Sequence, residues 1–339
     1  MANFKSLTLF LIFLLCLPAL SSAQEKKYKI KWSVAHGPYK LVQKATEQFI
    51  QNVQKRSNGH VEIEIQNHDD SPYYAHQNRN KEALKKLITG KIQMAQIYTS
   101  NLASYYPEMD ILHLPFLFKN DEHVFKVLDG EIGQELTRGL LQSSGNIRNL
   151  AYTYCGGFYI IATKNTEINT VEDFSKLTLI YPASRVTKEA YNALKIKTYA
   201  SIFSESLKKI HSKSVNGFES TYPRLANSGE LGTVKVANMT GLNVLMSGII
   251  INDEFYQSLP AEYQKIISEE AAKAAIVERA ESIRISNQIK SMADKLQFKV
   301  IQLPQAEIER AQKMVEPVYT KYAPFFGEEK IKKIQDAAR

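Results

Sequence analysis

Residues 28–66, YKIKWSVAHGPYKLVQKATEQFIQNVQKRSNGHVEIEIQ, decide the fold. Ile30, Trp32 and Val34 alternate with Lys29, Lys31 and Ser33, the period of two that a strand with one buried face requires. From about Lys40 to Arg56 the period lengthens. Leu41, Ala45, Phe49 and Val53 recur every four residues, which puts them on one face of a helix, and Asn58-Gly59 supplies its end. Val61, Ile63 and Ile65 then alternate again. Strands separated by a helix predict a parallel sheet covered on both faces.

The pattern extends outward from this stretch. Leu84, Leu87 and Ile88 mark a helix closed by Gly90, and Ile92, Met94 and Ile97 make a third strand. After the middle of the chain the alternation restarts, with strand-like Tyr159 to Thr163 and Leu177 to Tyr181, then a helix from about Arg185 to Leu194. This is a second α/β unit. No internal repeat or long linker separates the two, so short hinge strands are expected between them. The longest feature begins at Leu259-Pro260 and runs to about Gln297 without an internal Pro or Gly. A helix of that size reaches roughly 55 Å, longer than one small domain, and is expected to span both units. Ala271, Ala272, Ala274 and Ala275 give it a close-packing surface, and no heptad is sustained that would make it a coiled coil.

At the start of the chain, Lys5 precedes the apolar run Leu9 to Leu17, and Ser21-Ser22-Ala23 offers small residues for cleavage. Residues 1–23 therefore read as a secretory signal peptide, with an apolar stretch far shorter than the roughly 20 residues of a membrane span. Leu14-Leu15 before Cys16 is not the small-residue context of a lipidated cysteine. Cleavage after Ala23 removes Cys16 and leaves Cys155 alone, so no internal disulfide is expected. About 315 residues then remain, more than one core usually supports.

The formal net charge is +8, and removing Lys5 lowers it to +7. Lys and Arg alternate with Glu and Asp along stretches such as Glu262 to Lys295, which reads as a solvated helix face. No zinc finger, basic-aromatic stripe or polybasic arm points to nucleic acid.

Enzyme signatures are missing: there is no G-x-S-x-G, P-loop, G-x-G-x-x-G or H-E-x-x-H. His68-Asp69-Asp70 with His76 has metal-ligand chemistry, but Ser71-Pro72 lies between and no fixed zinc spacing exists, so no metal site is assigned. Glu205, Asn216 and Glu219 could serve acid/base work only with a displaced pKa in a cleft. Met239, Leu245 and Met246 read first as core.

Leu114-Pro115-Phe116-Leu117-Phe118, after a stretch opening Tyr106-Pro107, is the first of several segments that, in order, resemble the solute-binding subunits of tripartite ATP-independent periplasmic (TRAP) transporters; it matches the family's L-P-F-L-F. Asp173-Phe174-Ser175-Lys176-Leu177 followed by Pro182 is similar to D-L-K-G-L-K-I-R-V-P. Phe203-Ser204-Glu205 and Val215-Asn216-Gly217-Phe218-Glu219 resemble F-x-E-V-Y and V-D-G-Q-E. Ser258-Leu259-Pro260 with Gln264 resembles the S-L-P helix start.

The resemblance implies a two-lobed α/β periplasmic binding protein with a hinge and a long helix across both lobes. It implies lobe I over residues 24–157 plus 246–285 and lobe II over 158–245 plus 286–339. It further implies a monomer without cofactor or catalysis, which closes on a small molecule and delivers it to a TRAP membrane permease, in some branches beside a tetratricopeptide-repeat protein. A ligand sensor for a membrane receptor is the alternative use of the same fold.

The sequence departs from the family where the ligand is held. Ile180 stands where the K-I-R-V-P arginine would grip a carboxylate, and Tyr159 or Ile160 replaces a second frequent arginine. Tyr98 takes the polar position of the third strand, and Ser220 that of the Asn after V-D-G-Q-E. A buried carboxylate without a counter-charge costs several kcal/mol, while a bidentate pair would have returned about 1.5 to 3 kcal/mol.

The candidate ligand-binding residues are therefore Tyr98, Phe116, Tyr159, Ile160, Ile180, Phe203, Glu219, Ser220 and Met246, and a hydrophobic or amphipathic ligand is expected. Burying about 200 Å² of apolar ligand surface gives on the order of 5 kcal/mol before association costs. Arg185, Lys188 or Arg224 reaching the cleft from a shifted position would restore binding of an organic acid.

Overall fold

The computed structural model describes residues 26–34, 39–66, 79–180, 184–199, 206–227 and 231–338. The signal peptide, Cys16, the His68 to His76 cluster, Tyr181, Pro182, Phe203, Ser204 and Glu205 lie outside the described residues.

The deciding stretch folds as its periods predict. β1 (Tyr28–Val34), α1 (Gln43–Arg56), β2 (Val61–Gln66), α2 (Arg79–Ile88) and β3 (Met94–Tyr98) alternate, and β1 pairs in parallel with both β2 and β3. The side chains that alternate on β1 meet those that recur on α1. Trp32 and Phe49 are fully buried and touch edge to face, with ring centroids 5.0 Å apart. Asn58 (φ 50°) and Gly59 (φ 79°) make the left-handed turn that ends α1.

α3 (Thr99–Leu102) follows β3 at once, then a 3-10 segment Pro107–His113, α4 (Asp121–Asp129) and α5 (Glu131–Ser144). β4 (Ile147–Thr163) leads to the second unit: β5 (Thr178–Ile180), α6 (Arg185–Ala193), β6 (Lys197–Tyr199), α7 (Ser206–His211), β7 (Gly217–Ser220) and α8 (Tyr222–Asn227). β8 (Val236–Asn252) returns, followed by α9 (Asp253–Ser258), α10 (Ala261–Ser291), β9 (Lys299–Gln302), α11 (Gln305–Phe326) and α12 (Glu328–Asp336).

The expected short hinge strands are not what joins the units. β4 and β8 are 17 residues each, antiparallel partners, and run through the middle of one nine-stranded sheet ordered β2-β1-β3-β8-β4-β7-β5-β6, with β9 on β8. Each strand is shared by both lobes. Ile147 to Thr153 of β4 pair with Ser247 to Asn252 of β8 beside β3, whereas Gly157 to Thr163 pair with Val236 to Leu245 beside β7 and β9. Between the halves the register slips from Thr153 to Gly157, across Gly156 (φ 95°) and Gly157 (φ 81°), and again from Phe158 to Ile160, where β8 carries Gly241 (φ 71°). Glycine is needed there because a side chain at such φ is strained. This bend is the hinge between the two lobes.

The long helix crosses both lobes, as expected, packing on α1 at one end, on β4 in the middle and on α8 beyond. It is shorter than predicted. Its 31 residues span roughly 46 Å, and 292–297 form turns ending at Gln297 (φ 57°). Ala271, Ala274 and Ala275 pack inward, but Ala272 faces solvent. The buried stripe continues at helical spacing through Glu278, Arg279 and Ser282. Farther on, α12 packs back against the 3-10 segment, α4 and α5: Lys330 bridges Glu108 (2.9 Å) and Glu135 (2.6 Å), and the His123 ring meets the Ile334 carbonyl at 2.6 Å.

Candidate ligand cleft

In open α/β sheets, ligands bind beyond the carboxyl ends of parallel strands. Here those ends are Val34, Gln66 and Tyr98 in one lobe and Ile180, Tyr199 and Ser220 in the other. α8, which follows β7, packs against the 3-10 turn Tyr39–Leu41, which follows β1. That contact draws the two sets of strand ends together beside the β4 hinge.

The sequence candidates fall into three groups. Tyr98 and Tyr159 belong to one apolar cluster with Trp32, Cys155 and Leu245. Ile160 and Ile180 join a second, with Phe218 and Tyr222, and Ser220 pairs with Ile160 across the β4–β7 ladder. Glu219 and Met246 alternate to the opposite face of the sheet. Glu219 meets Tyr191 and Asn243 there, and Met246 is fully buried, its carbonyl accepting from Thr99 Oγ1 at 3.2 Å. Phe116 sits apart, at φ 57°, its N–H donating to the Leu242 carbonyl at 2.8 Å. With Tyr159 and Ile160 it lines a hinge cavity described below.

Of the three displaced cations, Arg185 is committed elsewhere. It pairs with Asp110 at 3.2 Å and lies over the Tyr322 and Phe325 rings. Arg224 is different: on α8, it is only 4 % exposed and lies close enough to Glu219 and Cys155 to lower the pKa of each. Burial outweighs that help in both cases, pushing Glu219 up to about 7 and the Cys155 thiol, which also faces Glu278 and bonds Tyr98, up to about 12. Asn216, named for acid/base work, is a sheet brace. Its side chain accepts from Thr178 N (2.8 Å) and donates to Lys176 O (2.6 Å).

A buried polar network behind the cleft had no reading from sequence. Gln96 Nε2 donates to Glu278 Oε2 (2.7 Å) and Thr153 Oγ1 (2.9 Å), and Thr153 meets Ser247 at 2.6 Å. Arg279 donates to Asp129 (2.5 and 2.8 Å) and to the Tyr152 carbonyl (2.8 Å), and Ser282 accepts from the N–H of the hinge residue Gly156 at 3.2 Å. These bonds fasten α10 to β4 just before the bend. The signal for them was the stripe 271, 274, 275, 278, 279, 282, which keeps its spacing while changing from alanine to charge.

Burial pushes Glu278 up to about 7 despite Gln96 and Thr153. The folded chain therefore holds this proton more tightly than the unfolded one. The stabilisation is complete below about pH 4.5 and is lost as pH rises to 7, about 3 kcal/mol in all. His113 and His123, lowered by burial, act in the opposite sense. A difference measurement removes them. Relative to wild type, Glu278→Gln is expected to gain about 3 kcal/mol in urea unfolding between pH 4.5 and pH 7.5; parallel pH curves would mean that Glu278 stays ionised.

The profile of the bacterial extracellular solute-binding protein family 7 matches residues 33–324. The chain is 26 % identical to the C4-dicarboxylate-binding periplasmic protein DctP of Rhodobacter capsulatus, over 91 % of this chain and 90 % of that one. A TRAP periplasmic solute-binding protein from Shewanella oneidensis with bound succinate superposes with a TM-score of 0.80 at 20 % identity, covering 92 % of this chain and 100 % of its own. One from Bordetella bronchispeptica, with density assigned to pantoate, gives 0.81 at 19 %, covering 92 % and 99 %. Sheet order, crossing helix and family match lead to one assignment: the chain belongs to the bacterial extracellular solute-binding protein family 7.

Proposed function

We propose that the protein is the periplasmic solute-binding subunit of a TRAP transporter, and that its lobes close on an amphipathic carboxylate whose acid group meets Arg224. The carrying observation is the place of that guanidinium: it is buried at the lobe junction, beside the strand ends, in a chain with Ile180 at the family's arginine position. Tyr98, Tyr159, Ile160 and Ile180 supply apolar walls for the rest of the solute. Relatives named for C4-dicarboxylates and a fold neighbour holding succinate favour an acid, and the apolar walls favour one with a hydrophobic body. In this reading lobe I comprises 24–157 with 246–285 and lobe II 158–245 with 286–339, and release to a membrane permease replaces any catalytic step.

A second reading, a wholly apolar ligand, draws on the same Ile180 and Tyr159. One experiment separates the two. The mature protein, purified without refolding, is weighed under native conditions, then denatured, and the released molecule identified. A carboxylic acid with an apolar body, bound one to one, is expected; a neutral lipid-like compound would replace the first reading by the second.

A further inference from the structure

A cavity of about 680 Å³ lies at the hinge. It shares the β4 wall from Gly156 to Ile160 with the cleft, but Tyr98, Ile180, Ser220 and Arg224 take no part in its lining. Its size falls within the roughly 300 to 1,000 Å³ of ordinary small-molecule sites. Both lobes build it. Phe116 and Phe118 come from the segment before α4, Tyr222 and Met239 from the far side of the bend, and Ile283 and Ile308 from α10 and α11.

The chemistry of the lining selects an occupant. Aromatic and aliphatic groups form the walls, and exposed amides stand around them: Asn120, Asn287, Gln302, Gln305 and Gln312. Each amide both donates and accepts, which suits hydroxyl or amide groups better than an ion. The charges cancel, Lys119 and Lys290 against Asp121 and Glu309. Three of them are engaged in the wall, with Asp121 accepting from the Tyr154 hydroxyl, Glu309 accepting from Gln305 Nε2 at 3.2 Å and Lys290 lying 5.5 Å over the Tyr222 ring.

We propose that this hinge cavity is a second small-molecule site, separate from the cleft, for a neutral amphipath with an apolar chain or ring and several hydroxyl or amide groups. Its walls move with the hinge. Phe116 is tied to Leu242, one residue past the hinge glycine Gly241, so an occupant bridges both lobes at the bend.

The test uses n-octyl β-D-glucoside below its micelle concentration, titrated calorimetrically into the mature chain. Saturable one-to-one binding is expected, weakened at least tenfold by Ile308→Trp, which fills the cavity, and unchanged within twofold by Arg224→Met in the cleft. Gln312→Trp repeats the block from an exposed position, where folding is not at stake. The proposal is overturned if no saturable binding occurs, or if binding survives both tryptophan variants. Loss in Arg224→Met alone would equally overturn it, placing the glucoside in the cleft, while leaving the carboxylate reading untouched.

Discussion

Gly156→Ala is expected to destabilise the protein by about 2–6 kcal/mol and to weaken solute capture with it. Two costs add. At φ 95° an alanine is strained by roughly 1–3 kcal/mol. Its Cβ would also lie 2.1 Å from Thr221 Oγ1 and 2.7 Å from Thr221 Cβ, and Thr221 is fully buried with its hydroxyl on the Cys155 carbonyl. Overpacking of this kind costs about 1–3 kcal/mol. Gly241→Ala is the control, since it has φ 71° and nothing within 4 Å, so only the strain applies. Urea unfolding of the pair measures the Thr221 contact directly. Equal losses would mean that Thr221 does not press on the bend.

The second large effect falls on binding. Arg224→Met is expected to weaken a carboxylate solute about 10- to 150-fold, the equivalent of the 1.5–3 kcal/mol that a hydrogen bond to a charged group contributes. Methionine keeps the apolar stem that a buried α8 needs and removes the fork. Arg224→Lys restores charge without the planar pair of donors and should recover only part of the affinity. Unchanged affinity in Arg224→Met, with an unchanged unfolding midpoint, would take the acid group elsewhere.

What the sequence revealed follows from which residues have one face in water. β1, β2 and α1 were readable because Lys29, Lys31, Glu62 and Glu64 punctuate their apolar partners. β8 was not, because Leu242 to Ile251 is buried on both sides and a strand of that kind has no alternation to read. β4 was seen only past its glycines, which interrupt the pattern at the very point where the strand bends. α10 was overextended because 292–297 contain nothing that forbids a helix; the chain turns there through Gln297.

For the cleft, family spacing singled out Tyr98, Ile180 and Ser220, which end β3, β5 and β7, and Tyr159, which lies within β4 just past its bend. Arg224 was one of three cations that no spacing could rank. Its burial depends on α8 meeting the turn at Tyr39–Leu41, residues about 180 positions away, and such contacts leave no mark on a local period. Glu278 and Arg279 were missed for the opposite reason: a charged pair on a helix reads as solvent-facing until the stripe around it is counted.

The central pair of strands also governs how the chain can assemble. Neither lobe owns a complete sheet, because β8, at residues 236–252, is the neighbour that β3 waits for from residue 98 onward and that β4 waits for from 163. The first hundred residues thus cannot close their sheet before the last third of the chain arrives. Contacts of such long sequence separation make folding slow. A fragment cut anywhere before 252 would not be a one-lobed version of this protein but a chain with an open sheet edge, ready to pair with its own kind.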